Sequence, residues 1–485
     1  MGPHKARTKT YTGIGRLYIF GVFFFLIAGF VTYRLISLTV IKHEAYAKAA
    51  QAQQVLPSLR LAGRGTIYAF DQNTNEVKLL AGIKKEATIV QRFYPLGSLT
   101  AQVLGFVGYR GHDRVGQYGV ESYYDDVLNS TSGADLVLTI DPTIQSYAET
   151  KLGEVMKKYS SSRGTVIVQD PATGAIFAMA SSPSFDPNRY QDFSLDRYLN
   201  PAVQEEYEPG SSMKAITMAA ALDAGVVTPD MTYEDTGLLE INGYPIRNYN
   251  NEANGIQTMR QVLEKSLNTG AVFAQRRTGN DAFLNYVVGF GFGQKTGVDL
   301  AGEADGTISN LYQPQQVNFS TAAFGQGVAV TSLQLINAYS AIANGGKLMR
   351  PYVVKEIVHA GGAVTATKPK ILGVPIKERT AATLTSMLVG VVDRGFDKGQ
   401  VTGYDVAGKT GTAQIPDKKN GGYLEGDKYI HDFVGFAPAY APRFTILIKI
   451  EKPQGIKFAS RSLSPVFADI AGFLLRYFKI PPTRQ

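Results

Sequence analysis

Cysteine is missing from all 485 residues. That excludes disulfides, thiol nucleophiles and thiolate-held metals, and it fits a chain that works outside the cytoplasm. Histidine is scarce. His4, His43, His112, His359 and His431 stand far apart, with no pair at metal-ligand spacing. A histidine-based metal site is therefore disfavoured, and a Ser-His-Asp triad would have to rest on one isolated ring. Acidic residues are absent before Glu44, whereas Lys5, Arg7, Lys9, Arg16 and Arg34 flank or enter the first apolar run. The net charge of +8 falls to +3, 44 basic against 41 acidic residues, once those five are set aside. The body of the chain is nearly balanced, so a nucleic-acid partner is disfavoured. No internal repeat and no low-complexity segment interrupts it.

What is present falls into four stretches: a basic tail (1–16), an apolar run (17–41), a smaller region rich in strand signals (42–134) and one large unit (135–485). Leu17 to Tyr33 is uncharged, and Leu35 to Ile41 extends it past Arg34, which gives enough length to cross a bilayer. Arg34 is placed to snorkel to an interface. The basic start predicts a cytoplasmic tail and an exported body. Ala45-Tyr46-Ala47 has the form of a signal cleavage site, but the apolar stretch exceeds a typical signal core, which favours an uncleaved anchor. In the smaller region, Gly65 to Phe70 and Val77 to Leu80 read as strands around the turn Asp71 to Asn75. It carries no catalytic constellation, so it reads as a pedestal or interaction module. Beyond Asp135 the chain reads as α/β. Helices are expected over Thr143 to Lys158, Thr331 to Ala343 and Val466 to Phe478. Gly164 to Asp170 and Ala175 to Ala180 suit a hairpin, and Phe444 to Ile450 a strong strand.

Three short motifs carry the chemistry. Ser211 and Lys214 sit three residues apart at the head of a helical run that continues to Ala224 and stops at Gly225. That spacing puts an amine beside a hydroxyl. A lysine with a depressed pKa can take the serine proton, and free N–H groups at the helix start can receive an oxyanion. Alone, Ser-x-x-Lys is more often an ordinary N-cap. Ser266-Leu267-Asn268 offers a second hydroxyl for proton relay, and the Asn268 amide is suited to hold the lysine and a substrate carbonyl. Alone, it reads as a plain turn. Lys409-Thr410-Gly411-Thr412-Ala413-Gln414, taken as a strand, puts Thr410, Thr412 and Gln414 on one side and Lys409, Gly411 and Ala413 on the other. A cation and hydroxyls along an edge suit a carboxylate, and Gly411 suits close approach of a ligand. Gly403 to Thr410 also fits the phosphate-loop pattern. That pattern requires a long helix next, but Pro416 and a polar run follow instead. Lys-Thr-Gly occurs a second time at Lys295-Thr296-Gly297, in a glycine-dense stretch with Val298 where a hydroxyl is needed.

In this order the three motifs match the Ser-x-x-Lys, Ser-x-Asn, Lys-Thr-Gly set of penicillin-binding proteins and class A β-lactamases. The chain resembles a class B, monofunctional penicillin-binding protein over nearly everything after the apolar run. Gly63-Arg64-Gly65-Thr66-Ile67 and Tyr118-Gly119-Val120-Glu121 look like the family's pedestal motifs. Gly325-Gln326-Gly327, Thr331-Ser332-Leu333-Gln334 and Gly435-Phe436-Ala437-Pro438 look like its transpeptidase framework. Ala69-Phe70-Asp71-Gln72-Asn73 departs from the family's Asp-Arg-Asn-Gly turn. No glycosyltransferase domain is expected, nor a further domain after Pro481-Pro482.

The resemblance implies an α+β fold, a central antiparallel sheet flanked by helices, and a membrane-anchored D,D-transpeptidase that needs no cofactor or metal. It implies Ser211 as nucleophile, Lys214 as base, Ser266 and Lys409 as proton relay, Asn268 beside them, and Thr410, Gly411 and Thr412 along the substrate carboxylate. Its implied partners are peptidoglycan stem peptides, β-lactams, the inner membrane, a membrane glycosyltransferase and other division or elongation proteins. Ser-x-Asn in place of Ser-x-Asp leans towards septation. Alternatives are a D,D-carboxypeptidase, a β-lactam-hydrolysing relative, or a catalytically silent scaffold of a division complex.

Overall fold

The computed structural model describes residues 14–42, 63–86, 89–129, 133–395, 397–417, 419–426 and 428–484. The tail before residue 14 and Ala45-Tyr46-Ala47 lie outside them. The apolar run forms a helix, Ile14–Ile36, that continues through one π turn, Ser37–Ile41. Its 22 residues from Phe20 to Ile41 reach about 33 Å at about 1.5 Å per residue, enough for a hydrocarbon core of about 30 Å. Thr32 and Thr39 donate to the carbonyls of Ala28 and Leu35, one turn back. Their hydroxyls are thus satisfied within the helix, as a lipid environment requires.

Apart from residues 111–113, the rest forms a compact unit of its own. Its centre is a five-stranded antiparallel sheet in the order Ala407–Gln414, Tyr429–Ala437, Phe444–Glu451, Arg163–Gln169, Ile176–Ser182. Both faces are covered, and Phe444 to Ile450 is correspondingly rich in apolar residues, with Thr445 and Lys449 the exceptions. Strand alternation sorts the residues. Val166, Val168, Ile446 and Ile448 pack with the helices Pro142–Lys158 and Ser464–Tyr477. Ile167 and Leu447 point the other way, into the core built on the helices Met213–Asp223 and Ser332–Ala343. The expected helices and strands are all present, with ends displaced by a few residues. Local chemistry sets those ends. Asp141 caps its helix by accepting from the N–H groups of Thr143 and Ile144, with Pro142 in the first turn. Thr331 and Gln334 form a reciprocal capping box.

The second sheet crosses residue 135. Ile67–Phe70, Val77–Glu86 and Ile89–Phe93 share six strands with Asp135–Leu138, Val354–Val358 and Val364–Ala366. The pedestal and the large unit are therefore continuous through a sheet and do not meet at a linker. The turn that departs from the family pattern is closed by Asp71 Oδ1, which accepts from the N–H groups of Asn73 and Thr74. It docks through Gln72 N–H on Asp141 and through Tyr477 Oη, which donates to both Asp71 and Asp141. The two pedestal motifs meet in a buried network. Arg64 and Arg92 both donate to Glu121, and Tyr94 Oη is a third donor. Burial pushes the Glu121 carboxyl up, but the two guanidinium groups outweigh it and hold the pKa below the usual range.

Candidate active site

Ser211 sits in one tight turn, Gly210–Ser212, that leads into the helix Met213–Asp223. The turn is welded in place. Gly210 has φ +55, which favours glycine, and its N–H donates to Gly325 O at 3.1 Å. A Cβ on Gly325 would stand 2.2 Å from Gly210 O. Glu208 accepts from Gly327 N–H at 2.9 Å and from Tyr423 Oη at 3.0 Å. These bonds give the Gly325-Gln326-Gly327 stretch its physical role. The helix stops at Gly225 (φ +73), where the N–H of Val226 reaches back to Ala221 O. Ser211 itself is half-buried and opens onto a cleft of about 690 Å³.

Lys214 is 1% exposed. Its Nζ donates to Ser266 O at 2.6 Å and lies 3.1 Å from Ser266 Oγ. Lys409, fully buried, reaches the same Oγ from the other side at 3.1 Å. Two amines thus converge on one hydroxyl. Ser266 presents both oxygens to them by adopting φ +55, an uncommon conformation for a residue with a Cβ. Burial drives the Lys214 amine well below its ordinary pKa, and the Lys409 charge lowers it further. Burial also brings Lys409 down to about 7, with Asp432 pulling in the opposite direction.

The motif strand Ala407–Gln414 behaves as its alternation predicts. Thr410, Thr412 and Gln414 line the cleft with Ser211, Ser266 and Asn268. Thr412 Oγ1 accepts from Ala459 N–H at 3.0 Å, which leaves its proton free to donate. Two expectations need revision. Asn268 Nδ2 donates to Arg247 O at 2.7 Å, so it tethers the cleft-side ribbon Tyr244–Arg247; the grip on Lys214 belongs to Ser266. Gly411 is required from behind: a Cβ there would lie 2.5 Å from Pro209 O and 2.6 Å from the Asp432 carboxylate. The missing side chain makes room for Pro209, at the start of the turn that carries Ser211, and for Asp432. Lys409 and Thr410 continue into a strand and not a helix, so the phosphate-loop reading fails.

Sequence reasoning missed Asp432, Tyr207 and Tyr339, the buried polar groups under the nucleophile turn. A signal existed for Asp432, a carboxylate directly before the apolar and glycine stretch Phe433 to Ala437. Nothing local marks the two tyrosines.

The second Lys-Thr-Gly is a structural loop. Thr296 N–H and Gly297 N–H donate to the Glu303 carboxylate at 2.7 and 3.1 Å, and Lys295 is exposed. Lys409→Ala is therefore expected to cut penicillin acylation by roughly a hundredfold or more, because it removes one of the two amines on Ser266. Lys295→Ala should stay within a fewfold of the unmodified chain. Rate constants with a fluorescent penicillin check both, and the reverse ranking in folded variants would overturn this map of the site.

A cleft-lining hydroxyl at Ser211, with the buried Lys214 amine three residues on and its pKa lowered well below the ordinary lysine value, is an arrangement that can support lysine-assisted acyl transfer. Comparison with known proteins agrees. Residues 164–472 match the penicillin binding protein transpeptidase domain and residues 35–142 the penicillin-binding protein dimerisation domain. The chain belongs to the penicillin-binding protein transpeptidase family. It is 36% identical to stage V sporulation protein D of Bacillus subtilis, over 81% of this chain and 65% of that protein's length. Identity to peptidoglycan D,D-transpeptidase FtsI of Escherichia coli is 30%, over 81% of this chain and 68% of the relative. Penicillin binding protein 3 of Mycobacterium tuberculosis, solved in complex with ampicillin, superposes with a TM-score of 0.80 at 31% identity, covering 87% of this chain and 97% of that one.

Proposed function

We propose that this chain is a peptidoglycan D,D-transpeptidase acting through an acyl-enzyme on Ser211. The convergence of Lys214 and Lys409 on Ser266 Oγ, behind a cleft-facing Ser211, carries the reading. Ser211 Oγ attacks the carbonyl of the penultimate D-Ala, and Lys214 takes its proton. The oxyanion is received by the backbone N–H groups of Ser211 and Thr412. Ser266 donates its hydroxyl proton to the departing D-Ala amine and recovers one from the amine pair. Thr410 and Thr412 hold the terminal carboxylate, with Lys409 supplying positive field. An acceptor amine then attacks the ester carbonyl and gives up a proton to Lys214, which passes it to the departing Ser211 Oγ. One peptide bond is broken and one is formed. A β-lactam, as a D-Ala-D-Ala mimic, stops at the ester.

The N-terminal helix supports a single-pass inner-membrane anchor, and the basic residues before it support a cytoplasmic start with the body outside. Ser266-Leu267-Asn268 favours septation over elongation. A membrane glycosyltransferase and other division proteins are the partners this reading implies.

The full chain, given a donor ending in D-Ala-D-Ala and a D-amino acid acceptor, should yield the exchanged amide as its main product. Release of free acid alone would mark a carboxypeptidase, and no turnover with no acylation would mark a silent scaffold.

A further inference from the structure

Asp432 stands in the strand Tyr429–Ala437, paired with Gly411 on one side and Lys449 on the other. It is fully buried. Its Oδ1 accepts a short hydrogen bond from Ser212 Oγ, on the residue that follows the nucleophile. The same carboxylate occupies the space left by the absent side chain of Gly411. One group therefore touches the turn that carries Ser211 and the strand that carries Lys409, at the seam between them. Tyr339 Oη donates to Ser212 O at 2.7 Å and closes the turn from behind.

A buried carboxylate is costly unless its contacts compensate. The residues that follow Asp432, Phe433 to Ala437, are apolar or glycine, and His431 before it is engaged with Ser462 and the Lys457 carbonyl. The groups that face Asp432 are Ser212, the Gly411 N–H, Lys409, Tyr207 and Tyr339. Its register neighbour Lys449 points its amine to Glu451 at 2.9 Å, over the Tyr207 ring at 4.9 Å. Of the two amines on Ser266, Lys409 is thus the one with a carboxylate acting on it.

We propose that Asp432 is a positioning residue for acylation: its carboxylate pins the turn that carries Ser211 to the strand that carries Lys409. From that position the carboxylate also favours the charged form of Lys409 over that of Lys214. The directions agree: Asp432 pulls the Lys409 pKa up, whereas on Lys214 burial and the Lys409 charge both push down. Burial raises Asp432 itself to about 7, with Ser212 and Lys409 acting against the rise. The inference rests on Ser211 as the nucleophile.

The test uses the full chain in detergent and a fluorescent penicillin, with the acylation rate constant followed against pH. Asp432→Asn keeps the volume and removes the charge. It should lower the rate roughly tenfold to a hundredfold. It should also move the alkaline limb of the profile to lower pH by about one unit, because Lys409 loses its charge earlier. Ser212→Ala keeps the carboxylate and removes one strut. It should slow acylation by roughly tenfold. An Asp432→Asn rate equal to that of the unmodified chain overturns the inference. So does a reduced rate with an unmoved limb, which a merely structural residue would give. If Asp432→Asn does not fold, Ser212→Ala decides: an unchanged rate overturns the pin and a reduced rate supports it. Failure of the unmodified chain to be labelled on Ser211 would overturn the nucleophile assignment and this inference with it. A labelled unmodified chain beside an indifferent variant overturns this inference alone.

Discussion

Ser211→Ala is expected to abolish covalent labelling by penicillin while leaving the chain folded. Losing a nucleophile on which a whole relay depends costs on the order of 10⁵-fold or more. Neighbouring hydroxyls do not substitute. Ser212 is fully buried and its Oγ is committed to Asp432, and Ser266 Oγ is held between two amines. The fold survives because Ser211 is half-buried and lines open cleft, so the change creates no core cavity and strands no buried partner. Gel fluorescence with a labelled penicillin and a thermal melt, run on the same preparation, check both halves. Persistent labelling of a folded Ser211→Ala chain would contradict the assignment.

Lys214→Ala should lower the acylation rate constant by about three orders of magnitude or more, since it removes the base and not merely a contact. The pH profile separates that role from packing. As the proposed base Lys214 must be neutral, and its pKa is pushed well below the ordinary lysine value by burial and then by the Lys409 charge. Falling pH protonates it, so the rate drops on the acid side. Lys409 acts as a cation and loses its proton as pH rises through a value lowered by burial to about 7. The rate therefore drops on the alkaline side as well, and the profile is a bell. Lys214→Ala should retain a small residual rate and lose the acid limb that this amine produces. A variant within tenfold of the unmodified chain, or one that keeps the same acid limb, would remove Lys214 as the base.

Much of the framework was legible in the sequence because it is written locally. Phe444 to Ile450 reads as a strand because both its faces are buried, and Pro142–Lys158 as a helix because Asp141 and Pro142 start it. The alternation in Lys409 to Gln414 placed Thr410 and Thr412 on the cleft side before any partner strand was known. What sequence could not give was convergence. Ser266 is 52 residues from Lys214 and 143 from Lys409, and only the fold brings the three together at a left-handed serine. The same holds for Gly411, whose need for glycine comes from Pro209 and Asp432 and not from a ligand. Asn268 was expected at the lysine and instead holds a ribbon, because Arg247 O lies within its reach. The boundary near residue 135 falls where the chain begins to read as one large α/β unit, and hydrogen bonding runs across it to Val354–Val358. A strand contributed from more than 200 residues away leaves no mark near the boundary.

The central claim is that one serine among several in the cleft becomes acylated, and peptide mapping of the penicillin adduct tests it most directly. Digestion of the labelled full chain followed by mass spectrometry should place the added mass on Ser211 and on no other residue. An adduct on Ser212, Ser266 or Ser460 would contradict the account.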